Sequence, residues 1–271
     1  MRDARRTRIV ALRMNDFESR FGGIQRLYSA DGLQRLRRSS VCVVGLGGVG
    51  SWAAEALARS AVGQITLVDF DDICVTNVNR QLHALDGTIG RPKSEVMAQR
   101  IQSINPDCQA LPVRQSFNAS TAPQILSHFD WVLDAIDQVA NKCLLIALCR
   151  QNHIRIFSSG GAQGRRDPAA VQVADLAHTT HDALLQHVRK TLRDEHGFPR
   201  DPKTPFNVPC VFSREPRVCP VSAADPGDGG PARRDNAYGA ATFVTGTFGF
   251  LAVSRIVSNI AAGSAYGSHP A

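Results

Sequence analysis

Short runs of consecutive apolar residues alternate along this chain with longer amphipathic stretches. That is the pattern of strands buried on both faces and joined by covering helices. Residues 41–44 (VCVV) are the first such run, and 64–70 (QITLVDF), 108–113, 131–135 (WVLDA) and 154–159 (IRIFSS) follow. Between them, 51–60 (SWAAEALARS) is rich in Ala and Leu and reads as a helix. Residues 92–105 carry Val96, Ile101 and Ile104 at helical spacing until Pro106 stops them. Further helices are predicted at 121–127, 142–151 and 181–194, and a short amphipathic one at 31–38.

The alternation predicts an α/β fold: a doubly wound, Rossmann-like, mostly parallel sheet with helices on both faces. Residues 41–70 run strand, glycine turn, helix, strand, which implies parallel strands with a right-handed crossover. The regularity breaks at 199–236, where prolines recur and 225–232 (DPGDGGPA) cannot hold regular structure. This stretch is expected to be a long mobile surface loop in a C-terminal elaboration. Apolar pattern resumes at 239–253 (GAATFVTGTFGFLAV), but a membrane span needs about twenty such residues, and Arg255 interrupts the run. A buried helix or strand-helix element is expected there, without membrane contact. The first twenty residues hold six arginines and three acids and lack the apolar core of a signal peptide. The chain therefore reads as a cytoplasmic protein with a basic lead-in at 1–19 and a single domain at 20–271, its nucleotide-binding part at about 39–161.

With 271 residues and 43% hydrophobic content, the chain can bury a full core. A formal charge of +7 favours a polyanionic partner, such as nucleic acid, or simply a solvated basic surface. Arg189, Lys190 and Arg193, followed by Arg200 and Lys203, are the densest basic group and carry the same two readings. Phosphate-backbone contact is the functional one. The seven cysteines are dispersed and form no CxxC pair, so reduced thiols and no structural zinc are expected. His83, His181 and His187 lack metal-ligand spacing and read as packed or solvent-exposed.

The chemistry is concentrated after the first strand. In VCVVGLGGVGS the turn holding Gly45, Gly47, Gly48 and Gly50 can offer backbone N–H groups and a helix N-terminus to a phosphate. Asp69 stands nineteen residues past Gly50, at the end of the second strand, where a carboxylate can accept from ribose hydroxyls. An NAD-dependent oxidoreductase would satisfy that much. The following segment, VDFDDICVTNVNRQ, adds Asp71, Asn77, Asn79, Arg80 and Gln81, and Lys93 comes twelve residues after Gln81. Fixed cations of this kind suit a triphosphate, whose charge build-up in adenylyl transfer they stabilise.

GLGGVG, LVDFDDICVTNVNRQ, GRPKSE and VLDAID occur in the order and spacing that resemble the adenylation fold of ubiquitin-activating-enzyme-like proteins, the MoeB/ThiF-type family. That family includes the molybdopterin and thiamin synthesis adenylyltransferases. The resemblance spans about 20–161. RFGGIQRLYSADGL, SWAAEALARS, VTNVNRQLHAL, GGAQGRRDP and GAATFVTGTFGF narrow it to the branch of tRNA threonylcarbamoyladenosine dehydratases, which also lacks the paired-CxxC zinc site.

The resemblance implies ATP-dependent adenylation of the threonyl carboxylate on a modified adenosine of tRNA, followed by ring closure with net loss of water. Activation of a ubiquitin-like sulfur-carrier protein is the alternative. By position it implies that Gly48 and Asp69 hold the nucleotide, with Asp69 on the ribose, that Asn77, Arg80 and Lys93 bind phosphates, and that Asp137 in DAID holds Mg²⁺; Asp71 is counted with the nucleotide site from its place in the same segment. Asp134 is equally a strand-end structural residue. It further implies a homodimer in which an arginine reaches the partner's site; here Arg20-Phe-Gly-Gly23 leaves Arg20 or Arg26 as candidates. A docking sulfur-transfer protein is a further possible partner. Relatives that pass on a ubiquitin-like protein use a mobile-loop thiol, which makes Cys210 and Cys219 candidate nucleophiles.

Overall fold

Val41 and Val43 pack with helices on one side of a sheet, while Cys42 and Val44 pack with helices on the other. Successive strand residues point to opposite faces, so a strand covered on both sides must be apolar throughout. The computed structural model describes residues 2–126, 128–218 and 238–263, with side chains from residue 16 onward. Within these, β1 (Ser40–Val44), β2 (Gln64–Val68), β3 (Gln109–Val113), β4 (Trp131–Asp134), β5 (Arg155–Ser159), β6 (Val171–Asp175) and β7 (Pro209–Ser213) form a seven-stranded sheet. The order is β3-β2-β1-β4-β5-β7-β6, every pairing parallel except that of the edge strand β6 with β7.

Helices α1 (Arg2–Arg38), α2 (Gly50–Arg59), α3 (Lys93–Ile104) and α7 (Thr242–Ala262) build the first face of the core; α5 (Val139–Gln151) and α6 (Ala183–Glu195), with the single turn α4 (Ala122–Ile125), build the second. In α7, Val244, Phe248, Ala252, Ile256 and Ile260 recur every fourth residue and are all buried, the spacing of one helical face. This helix is long and apolar enough to cross a membrane by length and composition, but its apolar face lies on the sheet and α2. At Gly249 a Cβ would stand 2.8 Å from the Val49 carbonyl oxygen, so the two helices meet backbone to backbone there.

Several expectations are corrected. The short helix expected at 31–38 is the last part of the longer α1, which begins at Arg2 and is kinked where Ser29 adopts φ 70°. The expected loop at 199–236 contains β7, whose Cys210, Val211, Phe212 and Ser213 are all buried. Five residues among prolines carry too short a pattern to stand out, and their burial comes from pairing with β5 and β6. Residues 219–237 of that stretch lie outside the described part of the chain, and β6 is absent from the sequence reading.

Candidate active site

The chain leaves β1 toward β2 on one side of the sheet and returns through β4 on the other. The crevice at the C-terminal ends of β1 and β4 is therefore the place where open α/β sheets receive ligands. The glycine turn lies there. Gly45 has φ +91° and donates to the Val68 carbonyl at 2.8 Å, and a Cβ on it would approach the Ala135 oxygen to 2.8 Å. A Cβ on Gly50 would sit 1.8 Å from the Gly45 oxygen, an impossible contact, whereas the space beside Gly47 is open. Two glycines thus close the turn, and a third leaves the backbone accessible as α2 begins.

Asp69 braces this turn. Its Oδ2 accepts from the Leu46 N–H at 2.6 Å and its Oδ1 from the Asp71 N–H at 2.9 Å. Burial raises the Asp69 carboxyl above the ordinary aspartate value, against the opposing pull of those N–H groups and of Lys93. Lys93, the first residue of α3, is buried, and its Nζ pairs with Asp71 Oδ2 at 2.8 Å. Asn77 is also buried; its Oδ1 accepts from the Cys74 N–H at 3.0 Å, leaving the amide nitrogen as the group to offer a ligand, while Cys74 itself is exposed. Arg80 donates from Nη1 to the Thr76 carbonyl at 2.9 Å and to Asn79 Oδ1 at 3.0 Å, and its own carbonyl accepts from Trp52 Nε1 at 3.0 Å. Asn79 Nδ2 donates to the Ala240 carbonyl at 2.8 Å. The loop bearing Arg80 is therefore anchored to α2 and to the entry of α7.

On the β4 side the two acids separate. Asp134 is fully buried and pairs with the equally buried Lys142 at 2.8 Å, while Ser158 Oγ donates to Asp134 Oδ2 at 2.7 Å. Lys142 Nζ also donates to the Ile136 carbonyl at 2.9 Å, fixing the bend that leads to Asp137. Asp134 is thus structural, and Asp137 is the exposed acid at the mouth of the crevice. Among the described residues no group of three or more potential ligands comes together. One carboxylate oxygen suits Mg²⁺, which keeps waters and phosphate oxygens as its other ligands.

Other sequence candidates lie elsewhere. Arg20 pairs with Asp16 at 2.9 Å and donates to the Ile104 carbonyl at 3.2 Å. Ile104 is at the opposite end of α3 from Lys93, so Arg20 does not face the crevice of its own chain, and Arg26 is exposed on α1. Cys210 is corrected from loop thiol to core residue: it is fully buried in β7, and burial drives its thiol far above the ordinary range, away from nucleophilic use. Cys219 lies outside the described residues. On α6, Arg189 donates to Thr179 Oγ1, Arg193 donates to the Pro199 carbonyl at 3.0 Å, and Lys190 is exposed. Together with Arg200 they line a groove of about 570 Å³.

Sequence reasoning misses one site-supporting residue and leaves the state of a second open. Lys142 looks like any lysine on a helix, and its burial follows only from tertiary packing. His83, read as packed or exposed, is packed: it is buried, with neither ring nitrogen hydrogen-bonded. Burial, aided by the charge of Lys93, lowers its pKa to about 4.

The ThiF family model matches residues 23–257. The tRNA threonylcarbamoyladenosine dehydratase of Haemophilus influenzae is 46% identical over 252 residues, covering 93% of this chain and 97% of its own. The Escherichia coli protein of the same name is 47% identical over 257 residues, covering 92% and 96%. The crystal structure of the E. coli enzyme in complex with ATP superposes with a TM-score of 0.83 at 44% identity, covering 92% of this chain and 96% of that one.

Proposed function

The chain belongs to the ThiF family, and from that premise we propose that it uses ATP to dehydrate threonylcarbamoyladenosine in tRNA. What supports the reading is an open glycine turn braced by Asp69, with the buried Lys93 paired to Asp71 beside it, in a chain that matches dehydratases over nearly its whole length.

Asp69, already holding the Leu46 N–H, keeps lone pairs for the ribose hydroxyls, so nucleotide and glycine turn share one brace. The backbone beside Gly47 lets the α-phosphate approach. A substrate carboxylate oxygen attacks that phosphorus, the bond to the β-phosphate breaks, and pyrophosphate leaves. Lys93 and Arg80 oppose the charge that develops on the phosphoryl oxygens. Asp137 would hold Mg²⁺, which when bound supplies further neutralisation of the phosphates. The acyl-adenylate carbonyl is then captured from within the same substituent, closing a ring and releasing AMP; the sum is loss of one water from the modified nucleoside. Closure gains from proximity, since the nucleophile is tethered to its electrophile. The exposed basic side of α6, with Lys190 foremost, offers phosphate contacts to the tRNA. A homodimer would let Arg20, which turns to Ile104 in its own chain, or the exposed Arg26 serve the partner's crevice.

The test is incubation with ATP, Mg²⁺ and tRNA carrying threonylcarbamoyladenosine, followed by nucleoside analysis. A cyclic, dehydrated nucleoside is expected. Its absence, together with adenylation of a ubiquitin-like carrier by the same preparation, would transfer the assignment to carrier activation.

A further inference from the structure

Two guanidinium groups beside the crevice are held in place without an ion pair among the described residues. Arg165 is 1% exposed, and its Nε and Nη1 have no hydrogen-bond partner; only Nη2 is engaged, donating to the His181 carbonyl. Arg217, part-buried, has an equally unpartnered Nε. The two nearby acids are already committed to backbone: Asp182 accepts from the Gly161 N–H at 2.8 Å and the Leu185 N–H at 3.0 Å, and Glu215 from the N–H groups of Arg166 at 2.8 Å and Asp167 at 2.9 Å. Unpaired cations withdrawn from water are unfavourable, and two together more so. Burial lowers the pKa of Arg165; the charges of Asp182 and Glu215 oppose the shift and that of Arg217 adds to it.

The place is as informative as the charge. Val44, Asp134 and Ser158 lie in register across β1, β4 and β5. With strands about 4.8 Å apart, the Gly160–Gly161 bend is roughly 10 Å across the sheet from Gly45, on the far side of the bend that carries Asp137. A Cβ on Gly161 would come within 2.6 Å of Arg217 Nη2, so this glycine admits the guanidinium against the backbone. Gly164 donates to the Gly239 carbonyl at 2.8 Å, and Asn79 Nδ2 donates to the next carbonyl, Ala240, at the same distance. The turn with Arg165 and the loop with Arg80 are thus pinned to consecutive residues.

We propose that Arg165 and Arg217 form the subsite for the carboxylate that is to be activated, the guanidiniums holding one oxygen while the other is presented to the nucleotide. This deepens the dehydratase reading and rests on it. Arg217 lies over the Tyr238 ring at 5.3 Å from its centroid, which holds its plane without neutralising its charge. A planar guanidinium fork fits a carboxylate, and an oxyanion would meet the free Nε and Nη1 of Arg165 and the free Nε of Arg217.

The test uses the full chain with Arg217→Gln. Its readouts are pyrophosphate release with modified tRNA, and binding of tRNA with and without the threonylcarbamoyl group, with thermal stabilisation by ATP as the control. The expected result is unchanged stabilisation by ATP, a rise in KM for modified tRNA of about 10- to 100-fold, and loss of the preference for the modified tRNA. Arg165→Lys, which keeps the buried charge but not the fork, should reproduce that loss in part. A preference left intact in both variants overturns the proposal. Equal weakening of both tRNAs with a shallower salt dependence overturns it too, assigning the pair to a backbone phosphate. If the unsubstituted protein releases no pyrophosphate with modified tRNA, the dehydratase reading itself fails, whatever the variants do.

Discussion

Lys93 Nζ lies 2.8 Å from the Asp71 carboxylate, the lysine side chain 6% exposed and the aspartate 47%. The cation is fixed from below while its partner is free to swing into solvent, so a phosphate oxygen can replace Asp71 without leaving a buried charge unpaired. Lys93→Met should abolish ATP-dependent stabilisation and lower pyrophosphate release by about 10- to 100-fold, the range for hydrogen bonds to charged groups. Asp71→Asn should change either by only a few-fold. Thermal shift with and without ATP·Mg²⁺, alongside a pyrophosphate assay, separates the two.

The glycines of the turn differ in what they tolerate. Gly50→Ala forces a Cβ to 1.8 Å from the Gly45 oxygen, whereas Gly47→Ala meets nothing within 4 Å. Gly50→Ala should lower Tm markedly and abolish nucleotide binding together with it. Gly47→Ala should keep its Tm and lose affinity for ATP alone, because the methyl group occupies the phosphate's approach. Equal Tm values for the two variants would contradict this account.

Asp134 and Lys142 form a fully buried ion pair. Removing one member strands the other, which costs about 3–5 kcal/mol, so Lys142→Met should fall by that order in urea denaturation. The double variant Asp134→Leu, Lys142→Met should recover much of the loss, yet both variants should remain poor catalysts, since Lys142 also secures the Ile136 carbonyl ahead of Asp137. Recovery of full activity in the double variant would show that the bend needs no such tether.

His83 gives the stability curve an acid limb. Its pKa is lowered to about 4 by burial, against about 6.5 unfolded. Between these values the unfolded chain binds the extra proton, so stability is complete above about pH 6.5 and is lost as pH falls toward 4, by on the order of 3 kcal/mol for a shift of this size. His83→Gln should flatten that part of the denaturation profile. An unchanged slope would mean that other groups set it.

The glycine turn and the carboxylate beside it are legible in the sequence because they are constrained locally. A turn that must pass Gly45 and Gly50 at contact distance admits only glycine, and a carboxylate at the end of β2 is placed by strand length. What was not legible depends on distance along the chain. β7 acquires its burial from β5 and β6, not from its own brief pattern, which is why Cys210 reads as a loop thiol when it is a core residue. Lys142 shows no sign of burial until α5 is laid on the sheet. Arg165 and Arg217 belong to separate segments and become a pair only after β7 is inserted beside β5.

Cys74, which caps the short turn carrying Asn77, is the exposed thiol among the described cysteines. The hydroxyl and backbone N–H of Thr76 both bond to it and lower its pKa, making it the more readily alkylated. The crevice therefore comes with a natural attachment point. A maleimide fluorophore placed there would sit at the rim of the crevice, where binding of ATP is expected to change its emission, while the other described thiols are buried and stay silent.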